Sequence, residues 1–273
     1  MIESSDRPGP RGPTDCPTLL AVDVGNTNIS LGPFRGTELL GFWRISSQWT
    51  RTAEEYLPIL REILKEQDLR PADVGHAVIA SVVPPILDAV VEALRRWSIP
   101  ATVIRPDLEL GLPIRYEPVS TVGADRIANA VAVRERYGCP AVIVDLGTAT
   151  TLDVLNPSGS YIGGAIAPGL DTAVEGLAAR AFQLPRIQLQ APERAIGSNT
   201  VASIQSGIIF GYAGLVDGLV DRFRAEMGGE PVVVATGGLA PVIAPHSRYI
   251  RHVWPELTLE GLRLIYGTLS EMS

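Results

Sequence analysis

The sequence predicts an α/β protein with a duplicated fold: two mixed five-stranded sheets, each with helices on its faces, and a ligand cleft between them. Three observations predict it. The stretch Asp23-Val24-Gly25-Asn26-Thr27-Asn28 returns 122 positions later as Asp145-Leu146-Gly147-Thr148-Ala149-Thr150. Each copy follows a short apolar run, 19–22 or 141–144, as a buried strand does when it empties into a turn. After each copy comes the same succession, three strands in a meander and then alternating helices and strands.

The elements follow in order. Residues 1–17 carry four prolines and two glycines without the apolar centre of a secretion signal, and are expected to be a disordered tail. A first unit over 18–122 opens with strands at 19–23, 28–32 and 39–45. Residues 28–31, like 151–154 in the second copy, alternate polar and apolar, so each Asp-Gly motif is the bend of a hairpin. Thr52-Ala53-Glu54-Glu55 is a capping box opening a helix to about Gln67, with Leu57, Leu60 and Leu64 on one face and Pro58 inside. A buried strand at 77–83 leads to Pro84-Pro85, which start a helix with a core stripe of Ile86, Leu87, Val90, Val91, Leu94 and Trp97. A fifth strand follows at 101–104. The second unit, 123–273, begins with a helix bearing Ile127, Ala130, Val131 and Val133. Strands at 141–145, 150–155 and 161–166 precede helices near 170–180 and 200–227, strands at 231–235 and 249–253, and a final helix at 256–266. Which half that last helix packs on is left open.

Composition narrows the function. A chain of 273 residues with 46% hydrophobic content can bury a large core or two ordinary ones. A net charge of −7 argues against a surface that neutralises nucleic acid, so any bound anion must be met locally. Two cysteines, Cys16 and Cys139, make neither a disulfide framework nor a zinc site, and with strand-length apolar runs they fit a cytoplasmic protein without nucleic-acid or membrane partners.

The paired hairpins carry the chemistry. Neither is a Walker loop, which would need a lysine and a following helix. Gly25 and Gly147 allow backbone amides to approach a ligand, the Asn and Thr neighbours add donors, and Asp23 and Asp145 can hold a metal against phosphate oxygens. One copy alone would be an ordinary turn; two behind hydrophobic strands make a phosphate cradle. Pro231-Val232-Val233-Val234-Ala235 runs into Thr236-Gly237-Gly238, a third loop able to lie flat against a nucleoside. Asp125 enters a helix where a carboxylate suits the dipole, but beside Gly123, Arg126 and a phosphate-binding pair it reads as functional. Arg126 either clamps ligand oxygens or pairs with a surface acid. Tyr116 reads first as a packed aromatic, and Thr200 as the N-cap of the long helix. Asp153, Asp171 and Glu175 read as solvated or structural acids, and His76, His246 and His252 are too scattered for a metal site or triad. With an acidic chain and no Walker lysine, phosphate charge must be balanced by Arg126 and bound metal, which implies Mg2+. On the long helix, Gly207, Gly211, Gly214 and Gly218 leave a face almost without side chains, open to a neighbour from the same chain or from a second copy.

The segments Gly123-Ala124-Asp125-Arg126, 145–150, Gly163-Gly164-Ala165-Ile166-Ala167-Pro168-Gly169 and Asn199-Thr200 resemble those of the type III pantothenate kinases. These belong to the superfamily of sugar kinases, acetate kinase, actin and the heat-shock chaperone ATPases. The resemblance runs from Leu19 to Ile265 and departs only in the N-terminal extension. It implies two ribonuclease H-like domains of the actin-like ATPase kind, with ATP in the cleft between them. It implies transfer of the ATP γ-phosphoryl group to the primary hydroxyl of pantothenate, giving 4'-phosphopantothenate, the first step of coenzyme A biosynthesis. It places ATP on Asp23, Val24, Gly25, Asn26, Thr27, Asn28, Ile29, Ser30 and Thr148, and K+ or NH4+ at Asp145. It places pantothenate on Tyr116, Gly123, Ala124, Asp125, Arg126 and Thr200, with Asp125 as proton acceptor, and makes the protein a homodimer with the substrate site near the subunit interface. The rival readings are another small-molecule kinase of the superfamily and a non-catalytic nucleotide-binding regulator of transcription. The absence of a basic cluster disfavours the second.

Overall fold

The computed structural model describes residues 17–108, 110–180 and 187–271, so the expectation for the tail falls, apart from Pro17, outside the described residues. In the first sheet, β1 (Thr18–Val24) turns into antiparallel β2 (Asn28–Arg35), with Asp23 opposite Ser30. The one strand expected over 39–45 is broken in two, β3 (Glu38–Leu39) and β4 (Trp43–Ser46), both paired to β2. The Trp43 ring folds back over Gly41, where a Cβ would sit 2.2 Å from it, and the chain bends there. The sheet therefore has six strands rather than five, completed by β5 (Val74–Ser81) and β6 (Ala101–Val103), which run parallel to β1 in the order β3-β2-β1-β5-β6. Its outer face is covered by α1 (Ala53–Lys65) and α2 (Pro84–Arg96), which bury Tyr56, Leu60, Leu64, Ile86, Val90 and Leu94 against Leu20, Val22 and Ile79. The capping box is made, with Glu55 Oε2 accepting from the Thr52 N–H at 2.8 Å.

The second sheet has five strands, β7 (Ala141–Leu146), β8 (Ala149–Leu155), β9 (Tyr161–Pro168), β10 (Val232–Thr236) and β11 (His252–Val253), in the order β11-β10-β7-β8-β9. Three helices cover its outer face: α4 (Leu170–Arg180), α5 (Thr200–Met227) and the short α6 (Ala240–Ile243). By length and composition α5 could cross a membrane. Its Ile209, Tyr212, Ala213, Val216 and Val220 are instead buried in the second sheet's core. β11 is shorter than the expected 249–253, because Asp217 of α5 accepts from the Ser247 hydroxyl at 2.7 Å and the Arg248 N–H at 3.0 Å and holds this stretch toward the helix.

Between the sheets lie α3 (Ala124–Tyr137) and α7 (Leu257–Glu271), longer than the expected 256–266. Their residues Ile127, Ala128, Val131, Leu259, Leu262 and Ile265 share one core with Ala21, Val78 and Ala80 of the first sheet and Ile143 and Leu155 of the second. The helices cross tightly: a Cβ on Gly261 would stand 1.9 Å from the Ala128 carbonyl oxygen. α7 returns to pack on β1, β2 and β5, while α3 lies mainly on β7 and β8. Between β6 and α3, Leu108, Leu110 and Leu112 tuck into this central core and Ile114 bridges to Tyr161. The result is a five-layer α/β/α/β/α stack, with both hairpin bends at the carboxyl ends of their first strands.

Candidate active site

Each hairpin is held by its own short bonds. In the first, the Gly25 N–H donates to the Asn28 carbonyl at 3.0 Å, and Ser47 ties the bend from outside through its hydroxyl to Gly25 O (2.6 Å) and its N–H to Thr27 O (2.9 Å). In the second, the Gly147 N–H donates to Ala149 O at 3.0 Å, while the Gly169 N–H and the Thr172 hydroxyl donate to Thr148 O at 3.2 and 3.1 Å. Gly169 allows this bracing, since a Cβ there would lie 2.3 Å from that oxygen. The bends meet: the hydroxyls of Thr27 and Thr148 are 2.8 Å apart.

Beneath this contact lies a cleft of about 650 Å3, whose walls include Asp23, Gly25, Asn26, Thr27, Asn28, Ser30, Gly123, Asp125, Arg126, Asp145 and Thr148. The third loop closes one end. Gly237 has φ +89°, and a Cβ on it would approach Asp145 Oδ1 to 2.7 Å and Leu146 O to 2.6 Å, so glycine alone fits.

Of the carboxylates lining this cleft, Asp23, Asp125 and Asp145 carry raised pKa values, with only Arg44 and Arg126 as cations among the described residues of the lining. Burial holds Asp23 well above the usual carboxylate range, and the charges of Asp125 and Asp145 add to it against Arg44. Burial also pushes Asp145 up to about 7, helped by Asp125 and Asp153 and opposed by the Asn129 amide and Arg44. Thr258 donates to Asn129 Oδ1 at 2.8 Å, which aims that amide at Asp145. Asp125, in the first turn of α3, is raised by burial and lowered by the N–H and charge of Arg126. Its carboxylate folds over Gly123, where a Cβ would be 2.2 Å from Oδ1, which explains a glycine before it. A cation shared with bound phosphates relieves such a cluster. Among the described residues no group of three or more His, Cys, Asp or Glu forms a metal cage. The donor set therefore suits an ion that takes most of its ligands from phosphate and water.

Several sequence readings change at the site. Of the two readings of Asp153, solvated or structural, the structure shows the second: its side chain is 0% exposed and takes the salt bridge of Arg126, itself 11% exposed, so the partner of Arg126 is a buried acid rather than a surface one. Asp171 and Glu175 of α4 line the cleft, as do Phe42 and Arg44 from the broken third strand, which sequence reasoning missed. The available signal for Arg44 was the alternation of Arg44 and Ser46 with the inward Trp43 and Ile45. Val24 and Ile29 point into the core, and Ala124 is buried, so only their main chains can meet a ligand. Tyr116 is outside the cleft lining, edge-on to Tyr161 with ring centroids 6.2 Å apart. Thr200 is exposed at the start of α5 and outside the cleft; the N-cap is Asn199, whose Oδ1 accepts from the Ala202 N–H at 2.9 Å. His76, His246 and His252 pack against Tyr266, Phe210 and Tyr137.

Two sheets joined by a central helix pair, with glycine hairpins meeting over a carboxylate-lined cleft, give the chain the actin-like ATPase class of fold. Solved structures agree on the fold: a putative Baf family transcriptional activator from Campylobacter jejuni (TM-score 0.61, 17% identity, 92% of this chain and 99% of that one). The activator of 2-hydroxyisocaproyl-CoA dehydratase from Clostridium difficile is also similar (TM-score 0.56, 13% identity, 93% and 97% covered). Residues 19–222 match the type III pantothenate kinase family, and the type III pantothenate kinase of Moorella thermoacetica is 51% identical over 249 residues, 91% of this chain and 98% of its own. The chain belongs to the type III pantothenate kinase family.

Proposed function

We propose that the protein transfers the γ-phosphoryl group of ATP to the primary hydroxyl of pantothenate and that the cleft under the Thr27–Thr148 contact is where it does so. The observation that carries the assignment to this cleft is the meeting of two phosphate-type hairpins at 2.8 Å over a cleft that Asp125 also lines. ATP lies along Asp23 to Ser30 with its phosphates toward Thr148, and Gly237 and Gly238 supply a flat floor. Pantothenate lies on the side of Gly123 to Arg126, with Tyr116 and Thr200 contributing at the outer end. Asp125 aligns the acceptor hydroxyl and takes its proton, and its elevated pKa suits that role. Arg126 presents positive charge to the transferred group or the acceptor. Asp23 and Asp145 would hold Mg2+ against the phosphates, and Asp145 a K+ or NH4+ ion; when bound, these ions neutralise the charge of the transferred phosphoryl group.

The open glycine face of α5 supports a homodimer, since a Cβ at Gly207, Gly211, Gly214 or Gly218 would meet nothing within 4 Å. Division near residue 122 keeps α3 with the second sheet on which it packs, and α7 returns to the first unit. The net charge of −7 and two cysteines fit a cytoplasmic enzyme without nucleic-acid or membrane partners. Turnover of ATP against pantothenate, sugars, acetate and no acceptor tests the reading: pantothenate alone should stimulate, and stimulation by another acceptor instead overturns it.

A further inference from the structure

We propose that Asp153 is a positioning residue for the transfer, fixing the Arg126 guanidinium so that its free N–H groups face the acceptor side of the cleft beside Asp125. This rests on the function proposed above. Asp153 sits on β8, on the sheet face that underlies the first turn of α3. One of its oxygens, Oδ1, accepts from Arg126 Nε at 2.9 Å, from Arg126 Nη2 at 2.5 Å and from the Tyr161 hydroxyl at 2.7 Å. The other accepts from Thr151 at 3.3 Å. Tyr161 serves as a permanent donor because burial and the neighbouring Asp153 push its phenol far above the ordinary range. Its ring also lies under the guanidinium, 5.9 Å from centroid to Cζ.

Arg126 thus uses Nε and one hydrogen of Nη2 on Asp153. A guanidinium has five N–H donors, so Nη1 and the second Nη2 hydrogen remain for a ligand, and Arg126 does line the cleft. Without the buried anion, Arg126 would be free to turn onto Asp125, one residue away, and occupy the proton acceptor. The strand pairing is built around this acid as well. Gly164 of β9 lies opposite Asp153, and a Cβ there would come within 1.8 Å of Leu152 O and 3.0 Å of Asp153 Cα. The close approach of β9 brings Tyr161 of the same strand to the carboxylate.

The test is the isosteric Asp153→Asn variant, compared with the wild type on whichever acceptor the panel identifies. An acceptor other than pantothenate would overturn the function and still leave this proposal testable on that acceptor. We expect KM for the acceptor to rise and kcat to fall by about tenfold each, the loss of one charge-assisted alignment, with the Kd for ATP within about twofold. In an Arg126→Ala background the same substitution should change kcat/KM by less than about twofold, because the two residues act as one unit. Unchanged KM and kcat per folded molecule, or effects that add to those of Arg126→Ala, would overturn the proposal. If Asp153→Asn does not fold, Tyr161→Phe keeps the charge but removes one hydrogen bond. It should raise the acceptor KM by roughly two- to fivefold, and an unchanged KM rejects the proposal.

Discussion

Asp145→Asn should stabilise the ligand-free protein while removing its activity. Asp145 lies in the cleft, and burial together with the charges of Asp125 and Asp153 raises its carboxyl from 3.8 to about 7. The folded state therefore keeps a proton that the unfolded chain gives up. The sign follows: below pH 3.8 the group contributes nothing, between 3.8 and about 7 it costs progressively more stability, and above 7 the cost is complete. At 1.36 kcal/mol per pH unit the rise corresponds to at most about 4 kcal/mol. Relaxation and water at the cleft reduce this to about 1–3 kcal/mol. For a chain of this size that is a gain of roughly 2–6 °C in Tm. The assay is thermal unfolding of both proteins from pH 4 to pH 8, in chelator with an organic cation as the only counter-ion. The advantage of the variant should be largest at pH 8 and vanish near pH 4, and saturating Mg-ATP should raise the wild-type Tm more than the variant's. A variant no more stable than wild type at pH 8, or an advantage that grows on acidification, would refute the account of a carboxylate strained in waiting for a cation.

Asp125→Asn should lower kcat by roughly 10²–10⁴-fold with ATP affinity intact, and near-normal turnover with a lowered Tm would end its role as base. Activity should be higher in potassium or ammonium than in sodium, and equal rates in all three would remove Asp145 as a monovalent-ion ligand. Light scattering across micromolar concentrations should give a dimer mass, and Gly211→Leu on the open face of α5 should shift it toward monomer; a monomeric wild type refutes the dimer. Gly164→Ala should cost at least about 2 kcal/mol in denaturant unfolding, because the added methyl meets main chain that cannot step aside, and a neutral effect would contradict the close approach of β8 and β9.

What was legible in the sequence was local. The two hairpins, the Gly-Gly loop, the Pro-Pro helix start and the entry of Asp125 into α3 are written in contiguous residues, and the structure places all three loops on one cleft. What was missed depends on partners distant in sequence. Asp153 looks like any acid on a strand until Arg126, 27 positions away, comes to lie over it. Arg44 becomes a cleft residue through the pairing of β4 with β2, which sets it opposite Ser30, another cleft residue. The register of β11 was lost to Asp217, whose bonds to 247 and 248 outweigh the strand pattern of 249–251. Asn199 and Thr200 are both good caps, and sequence offered no way to choose between neighbours; the reach of the Asn199 side chain to Ala202 decides it.

The crossing of α3 and α7 has a consequence for how the chain can be cut. The second half lends its last helix, α7, to the first half's sheet while its first helix, α3, stays mainly on its own, and Gly261 locks the two helices together at Ala128. A fragment that stops before α3 would leave the inner face of its sheet, with Ala21, Val78 and Ala80, bare to water. The remainder would carry α7 without the strands it was shaped to cover. The duplicated halves are therefore not separable parts, and expression of either half alone should yield insoluble protein, while the two supplied together should reassemble around the packed helices.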